Sequence, residues 1–222
     1  MDTLLEKLFI KQLEVGRLGV YCYIIGDAER KEGLIIDPGG NPTRIVRTAQ
    51  DEGIQIRLLV NTHSHMDHIL GNAKVIEKTG AKLIIHESEK KSLTRFYKRF
   101  FNLFLGGSSS PQADILVKDG DTIEIGSLTF DIIHTPGHSK GGICIYGYDN
   151  LFTGDTLFVG SIGRVDLPGG SKNVLLHSIK NRLLVLPDET RIWPGHNYGP
   201  SASSTVLQER LYNPFLFKIS VP

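Results

Sequence analysis

Residues 61–71 read Asn-Thr-His-Ser-His-Met-Asp-His-Ile-Leu-Gly, so three histidines and an aspartate fall within six positions, His63 to His68. Folding alone gives no reason for such a cluster. Imidazole and carboxylate are the side chains that hold zinc and related cations, at about 2.0–2.2 Å. His63 and His65 stand two residues apart; in extended chain both side chains point the same way and can grip one ion. Asp67 and His68 follow in the turn into a helix, where they can face a second ion beside the first. A lone histidine is ordinarily a satisfied polar residue, but four ligand-type side chains directly behind an apolar strand point to metal binding.

Two ions need more ligands than these four supply, and the chain offers them at the ends of three later apolar runs. HTPGHS (134–139) presents His138, FTGDT (152–156) presents Asp155 and WPGHN (193–197) presents His196. Each stands directly after a glycine, where the backbone can turn sharply. The other histidines are weaker candidates. His86 and His177 read as structural or exposed, and His134 is either structural or a neighbour supporting His138. Asp37, in IIDPG, either hydrogen-bonds a ligand histidine or simply makes a turn.

The elements that must position these residues follow from hydrophobic period and turn chemistry. Short strand-like runs at 9–15, 20–26 and 33–39 end in turn residues, as antiparallel strands do. A helix over 41–53 has Pro42 near its start and Gly53 past its end. The run 57–62 is a continuous apolar strand, buried on both faces, that delivers His63. A helix runs from Asp67 to about Lys78, and 81–86 is another strand. A hairpin over 121–135 turns at Gly126-Ser127; strands follow at 142–148 and 150–155, then a helix over about 172–185, a strand at 191–196 and a short terminal helix. Two mixed sheets packed together with helices outside fit this order. In 87–105, Leu93, Phe96, Tyr97, Phe100 and Phe104 recur at helical spacing among Lys90, Lys91, Arg95, Lys98 and Arg99. The first reading of that stripe is packing against the body or a sister subunit; a substrate-covering lid is the functional one, and a membrane-surface helix the third.

Composition narrows the class. The chain has 222 residues with 40% hydrophobic and 22% charged, an ordinary globular balance that suits one domain over 1–222. A net charge of +1 gives no field for nucleic acid or an acidic membrane, and no apolar run reaches the roughly 20 residues of a membrane span. Cys22 and Cys144 sit in apolar runs and read as buried small hydrophobes. With neither a disulfide framework nor a signal peptide, the cytoplasm is the expected compartment.

The series HSHMDH, PGH, TGD and PGH resembles the metallo-β-lactamase superfamily, and within it the short bacterial and archaeal relatives of glyoxalase II. IIDPGG (35–40), GDTLFVGSIGR (154–164) and ERLYNPFL (209–216) extend the resemblance over nearly the whole chain. It implies an α+β fold, the four-layer αββα sandwich, with two divalent metal ions at one edge: zinc first, iron or manganese as alternatives. By position, His63, His65 and His138 would hold the first metal, Asp67, His68 and His196 the second, and Asp155 would bridge both. Two divalent ions set against two carboxylates and one hydroxide leave a positive centre, which favours an oxyanion forming beside it. The metals would lower the pKa of bound water toward about 7, and Asp67 could orient the resulting nucleophile as the catalytic residue.

Such a centre implies a metal-dependent hydrolase, and several chemistries share the fold. Asp155 argues against true β-lactamases, which resemble the pattern without a bridging carboxylate. The expected reaction is thioester hydrolysis of glyoxalase II type on a small-molecule thioester, with a glutathione-derived thiol as one candidate. The alternative is an iron-dependent persulfide dioxygenase, using His63, His138 and Asp155 around one iron. Arg164 stands where the longer glyoxalase II enzymes carry a basic glutathione contact, and Tyr198 matches a tyrosine contact. Asp166 replaces another such tyrosine, GRVDL (163–167) resembles the dioxygenases, and only 26 residues follow His196, too few for the helical domain that adds further contacts. A homo-oligomer is compatible with the sequence.

Overall fold

The structure is a computed structural model and describes residues 7–94 and 109–216. These form two compact units: the described residues up to 117 together with 123–129, and residues 118–122 together with those from 130 on.

The first unit is built on a six-stranded mixed sheet with strands in sequence order. β1 (Leu8–Val15), β2 (Val20–Asp27) and β3 (Glu32–Ile36) pair antiparallel across short turns. β4 (Gln55–Val60), β5 (Lys82–His86) and β6 (Ile115–Val117) then add in parallel. Parallel neighbours require crossovers, and helices supply two of them. α1 (Pro42–Asp51) links β3 to β4; its Ile45, Val46 and Ala49 are buried at helical spacing. α2 (Met66–Ile69) and α3 (Asn72–Thr79) link β4 to β5. Every residue of β2 is buried, and Ile24, Ile35, Leu59, Leu83 and Ile85 belong to one apolar core with the inner faces of α1 and α3. β4 begins half-exposed and becomes buried on both faces only at Leu59 and Val60, where it hands over to the polar run 61–65.

The expected helix from Asp67 to Lys78 is two helices. The break at Leu70-Gly71 has a visible cause: the Gly71 N–H donates to the Pro38 carbonyl at 2.7 Å, and a side chain at Gly71 would put Cβ 2.4 Å from that oxygen. Of the 87–105 stripe, Glu87–Glu89 forms a 3-10 turn and α4 covers Lys90–Leu93, with Leu93 buried. Phe96, Tyr97, Phe100 and Phe104 lie outside the described residues.

The second sheet has the order β14-β13-β10-β9-β8-β7 and, apart from residues 123–129, belongs to the second unit. β7 (Thr122–Ile125) and β8 (Leu128–His134) form the expected hairpin, with Gly126 in the left-handed region at φ 59°. β9 (Ile143–Gly147) and β10 (Asn150–Gly154) continue it antiparallel. β13 (Arg191–Pro194) joins β10 in parallel and β14 (Ser204–Thr205) closes the edge. A two-stranded ribbon, β11 (Leu157–Phe158) with β12 (Ser161–Ile162), follows β10. α5 (Lys172–Ser178) passes into a π-helical turn at Ile179–Leu183, short of the expected 185; Leu175, Ile179, Leu183 and Leu184 are buried together. α6 (Val206–Tyr212) opens with a capping box between Thr205 and Gln208.

Candidate metal centre

In the first unit, Asn61 and Thr62 follow the end of β4 at Val60, and the ligand loop starts at once. His63, Ser64 and His68 are buried. The rings of His63 and His65 meet edge-on with centroids 4.6 Å apart, and those of His63 and His68 lie 4.2 Å apart. Asp37, His63 and His68 each offer a ligand atom within 4.8 Å of the others. The hydrogen bonds separate their roles. Asp37 Oδ1 accepts the Thr62 N–H at 2.8 Å, and Oδ2 accepts the Thr62 hydroxyl at 2.6 Å and His68 Nδ1 at 2.9 Å. Asp37 therefore orients a histidine, the first of its two sequence readings. Because the Thr62 proton goes to Asp37, Thr62 Oγ1 is the acceptor for His63 Nδ1 at 3.1 Å. Both imidazoles thus carry their proton on Nδ1 and present the Nε2 lone pair; His68 Nε2 stands 3.7 Å from Asp67 Oδ2.

The fold holds this loop from below. The Asp37-Pro38-Gly39-Gly40 turn lies so close that a Cβ on Gly39 would meet the Asp67 carbonyl at 2.0 Å. Buried Asn61 and Asn72 bond to each other, with Asn72 Nδ2 donating to Asn61 Oδ1 at 2.7 Å; Asn61 also donates to the His68 carbonyl at 3.3 Å. Ser64, between the two histidines, donates to the carboxylate of Glu89, which is itself buried.

In the second unit, three strand ends meet around one carboxylate. Asp155 Oδ2 lies 3.6 Å from His138 Nε2 and 3.7 Å from His196 Nε2. These separations are too long for good hydrogen bonds. They suit ligand atoms sharing cations, since donors at about 2.1 Å from a tetrahedral ion stand about 3.4 Å apart. His138 Nδ1 donates to the Arg164 carbonyl at 2.8 Å, again leaving Nε2 for coordination. Glycines permit the convergence. A Cβ on Gly195 would fall 2.3 Å from Asp155 Oδ1, and one on Gly163 would fall 1.8 Å from the Asp155 carbonyl. His196 stacks on the exposed ring of Tyr198, centroids 4.9 Å apart and planes 4° off parallel, with Phe158 edge-on to both. Arg164 turns to solvent and forms a two-point ion pair with Asp166 at 2.8 and 2.6 Å.

The remaining histidines serve structure. His86 Nδ1 accepts the Ser88 N–H, His134 Nε2 meets the Lys140 carbonyl, and His177 Nδ1 meets the Asn181 amide. Both cysteines are buried as expected; burial pushes the Cys22 thiol well up and the Cys144 thiol up to about 11. Sequence reasoning missed Thr62, Asn61, Asn72 and the Ser64–Glu89 pair. The one signal for them was the unbroken polar run that follows a buried strand.

A match to the metallo-β-lactamase superfamily spans residues 15–196. The chain belongs to the metallo-β-lactamase superfamily. It is 32% identical to the hydroxyacylglutathione hydrolase GloC of Haemophilus influenzae over 207 residues, 88% of this chain and 92% of that one. The BLEG-1 B3 metallo-β-lactamase superimposes with a TM-score of 0.85 at 32% identity, covering 94% of this chain and all of the other. ETHE1 from Myxococcus xanthus superimposes with a TM-score of 0.79 at 28% identity, covering 93% and 83%. The resemblance read from the motifs is borne out, and the chain has the α+β metallo-β-lactamase fold. This superfamily consists in general of metal-dependent hydrolases that bind divalent cations, and the histidine–carboxylate sets of both units fit such ions in donor type and spacing.

Proposed function

We propose that the chain hydrolyses a small-molecule thioester at a centre of two divalent cations. His63, His65 and His138 would hold one cation, Asp67, His68 and His196 the other, and Asp155 would bridge them. The observation that carries this reading is the disposition of imidazole nitrogens. His63, His68 and His138 each have Nδ1 committed to an oxygen, and the Nε2 atoms of His68, His138 and His196 face a carboxylate at 3.6–3.7 Å. Structural histidines have no reason to share that arrangement, whereas metal ligands are oriented in this way by the bond at the other ring nitrogen. The likeness to GloC, a hydroxyacylglutathione hydrolase over nearly its whole length, favours thioesters among the reactions of the superfamily.

Zinc is the first choice of metal, and when bound the cations supply Lewis acidity toward the carbonyl and water of lowered pKa. The protein supplies the rest. Asp67 orients the attacking water and takes up its proton. Addition of water forms the new acyl C–O bond, the C–S bond breaks, and the proton taken up by Asp67 passes to the leaving sulfur, which departs as thiol and restores the carboxylate. Tyr198 is the side chain proposed to meet the substrate, while Arg164, the other candidate contact, is held in its ion pair with Asp166.

A second reading, persulfide dioxygenation at one iron held by His63, His138 and Asp155, is favoured by the likeness to ETHE1 and by GRVDL at 163–167. Metal analysis of the purified chain, with parallel assays of thioester cleavage and of oxygen uptake with glutathione persulfide, separates the two. Two zinc ions per chain with thioester cleavage and no oxygen uptake is the expected result. One iron with oxygen uptake replaces the first reading by the second, and turnover of a β-lactam alone overturns both.

A further inference from the structure

Arg164 sits in an unusual mechanical position. Its backbone is fastened to two of the proposed ligands: its carbonyl accepts from His138 Nδ1 at 2.8 Å, and the preceding Gly163 lies where even a methyl group would strike the Asp155 carbonyl. Burial alternates along the stretch, with Gly163 buried, Arg164 exposed, Val165 packed on the apolar core of the unit and Asp166 exposed. Alternation puts Arg164 and Asp166 on one face. There Asp166 Oδ1 accepts from Nε at 2.8 Å and Oδ2 from Nη2 at 2.6 Å, the paired geometry in which guanidinium and carboxylate match best. The charge anchored beside the ligands is thereby cancelled two residues away. The contact with Arg164 also holds the Asp166 carboxyl down to about 2, so the cancellation persists at every pH where the enzyme would work.

We propose that Asp166 determines specificity: by occupying the Nε–Nη2 edge of Arg164 it withholds that cation from anionic thiols, so the chain prefers thioesters of an uncharged thiol to those of glutathione. This rests on the thioester reading above. Glutathione carries two carboxylates and one ammonium, and a neutral ion pair offers it no net attraction. A pair this exposed is weak enough to be altered without unfolding the protein.

The test uses the metal-loaded full chain and binding as well as turnover. Calorimetry measures affinity for S-methylglutathione and for the methyl thioether of N-acetylcysteamine, an uncharged counterpart. Asp166→Asn is expected to shift the ratio of the two affinities toward the glutathione derivative by about threefold to fivefold, the scale of an exposed charge contact. That gain should vanish in high salt, which screens exposed charges. The double variant Arg164→Ala/Asp166→Asn should return the ratio to the wild-type value. An unchanged ratio in Asp166→Asn overturns the proposal, and so does a double variant that binds S-methylglutathione more weakly than wild type, because Arg164 would then already be engaging the anion. Parallel KM values for the lactoyl thioesters of glutathione and N-acetylcysteamine should move in the same direction. A shifted binding ratio with no cleavage of either thioester removes the hydrolase reading and leaves the role of Asp166 standing.

Discussion

The two units hold their metal-type side chains by different means. In the first, the residues are contiguous, His63 to His68, and a buried polar network fixes them: Asp37 binds Thr62 and His68, Thr62 binds His63, and Glu89 binds Ser64. In the second, His138, Asp155 and His196 come from three separate strand ends, and close backbone approach at Gly163 and Gly195 brings them around one carboxylate. Directional bonds make the first arrangement sensitive to the loss of a single oxygen. Steric fit makes the second sensitive to the gain of a single methyl group.

The comparison breaks most visibly at the carboxylate itself. Asp155→Ala should remove at least one metal per chain and nearly all turnover, read by metal analysis and assay; full activity with two metals bound would end its proposed bridging role. Next is Asp37→Ala, which strands the Thr62 and His68 donors in a buried site. Each buried donor that loses its acceptor costs about 1–3 kcal/mol, and disturbing a ligand's orienting partner typically weakens metal binding about 10–100-fold. Denaturation and metal titration check both figures. Gly163→Ala and Gly195→Ala should destabilise by about 1–3 kcal/mol, as overpacking does, whereas alanine at Gly53, which has open space around it though φ is +70°, should leave metal affinity as in wild type. If the two buried-glycine variants bind metal normally, steric fit is not what organises the second unit.

Smaller effects sharpen the first unit. Ser64→Ala deletes a buried hydrogen bond to the Glu89 carboxylate and should cost about 1.5–3 kcal/mol, the range for a bond to a charged group, with metal affinity falling alongside. Asp27 gives the pH test. Burial alone would raise its carboxyl, but hydrogen bonds from the Arg30 N–H, the Ser127 hydroxyl and N–H, and the Glu29 N–H outweigh it and bring it down to about 2 from an ordinary 3.8. A lowered folded value contributes stability above pH 4 that fades as pH falls through 2, worth about 2 kcal/mol here. Asp27→Asn should lower stability at neutral pH by that amount and flatten the acid limb of the stability profile between pH 4 and 2.

The sequence made the metal-type residues legible because their signals are local. Four ligand types in six positions need no long-range information, and His138, Asp155 and His196 each follow a glycine at the end of an apolar run. Most strands and α1 were legible for the same reason. What holds the ligands was not. Ser64 and Glu89 are 25 residues apart, as are Thr62 and Asp37, and nothing in either local pattern pairs them. The break between α2 and α3 was hidden because apolar spacing continues through Leu70, while its cause is the Pro38 carbonyl more than thirty positions earlier. β11, β12 and β14 have two residues each, too few to show a period.

The sheltered cysteines have a practical consequence. Either sulfur chemistry considered for this chain ends with small thiols or their oxidised relatives in solution, and its own two sulfhydryls lie inside β2 and β9, protonated at neutral pH and shut away from reagents. The folded protein should neither form mixed disulfides with its products nor need a reducing agent to stay intact, so a thiol-capturing dye added during turnover would report product alone.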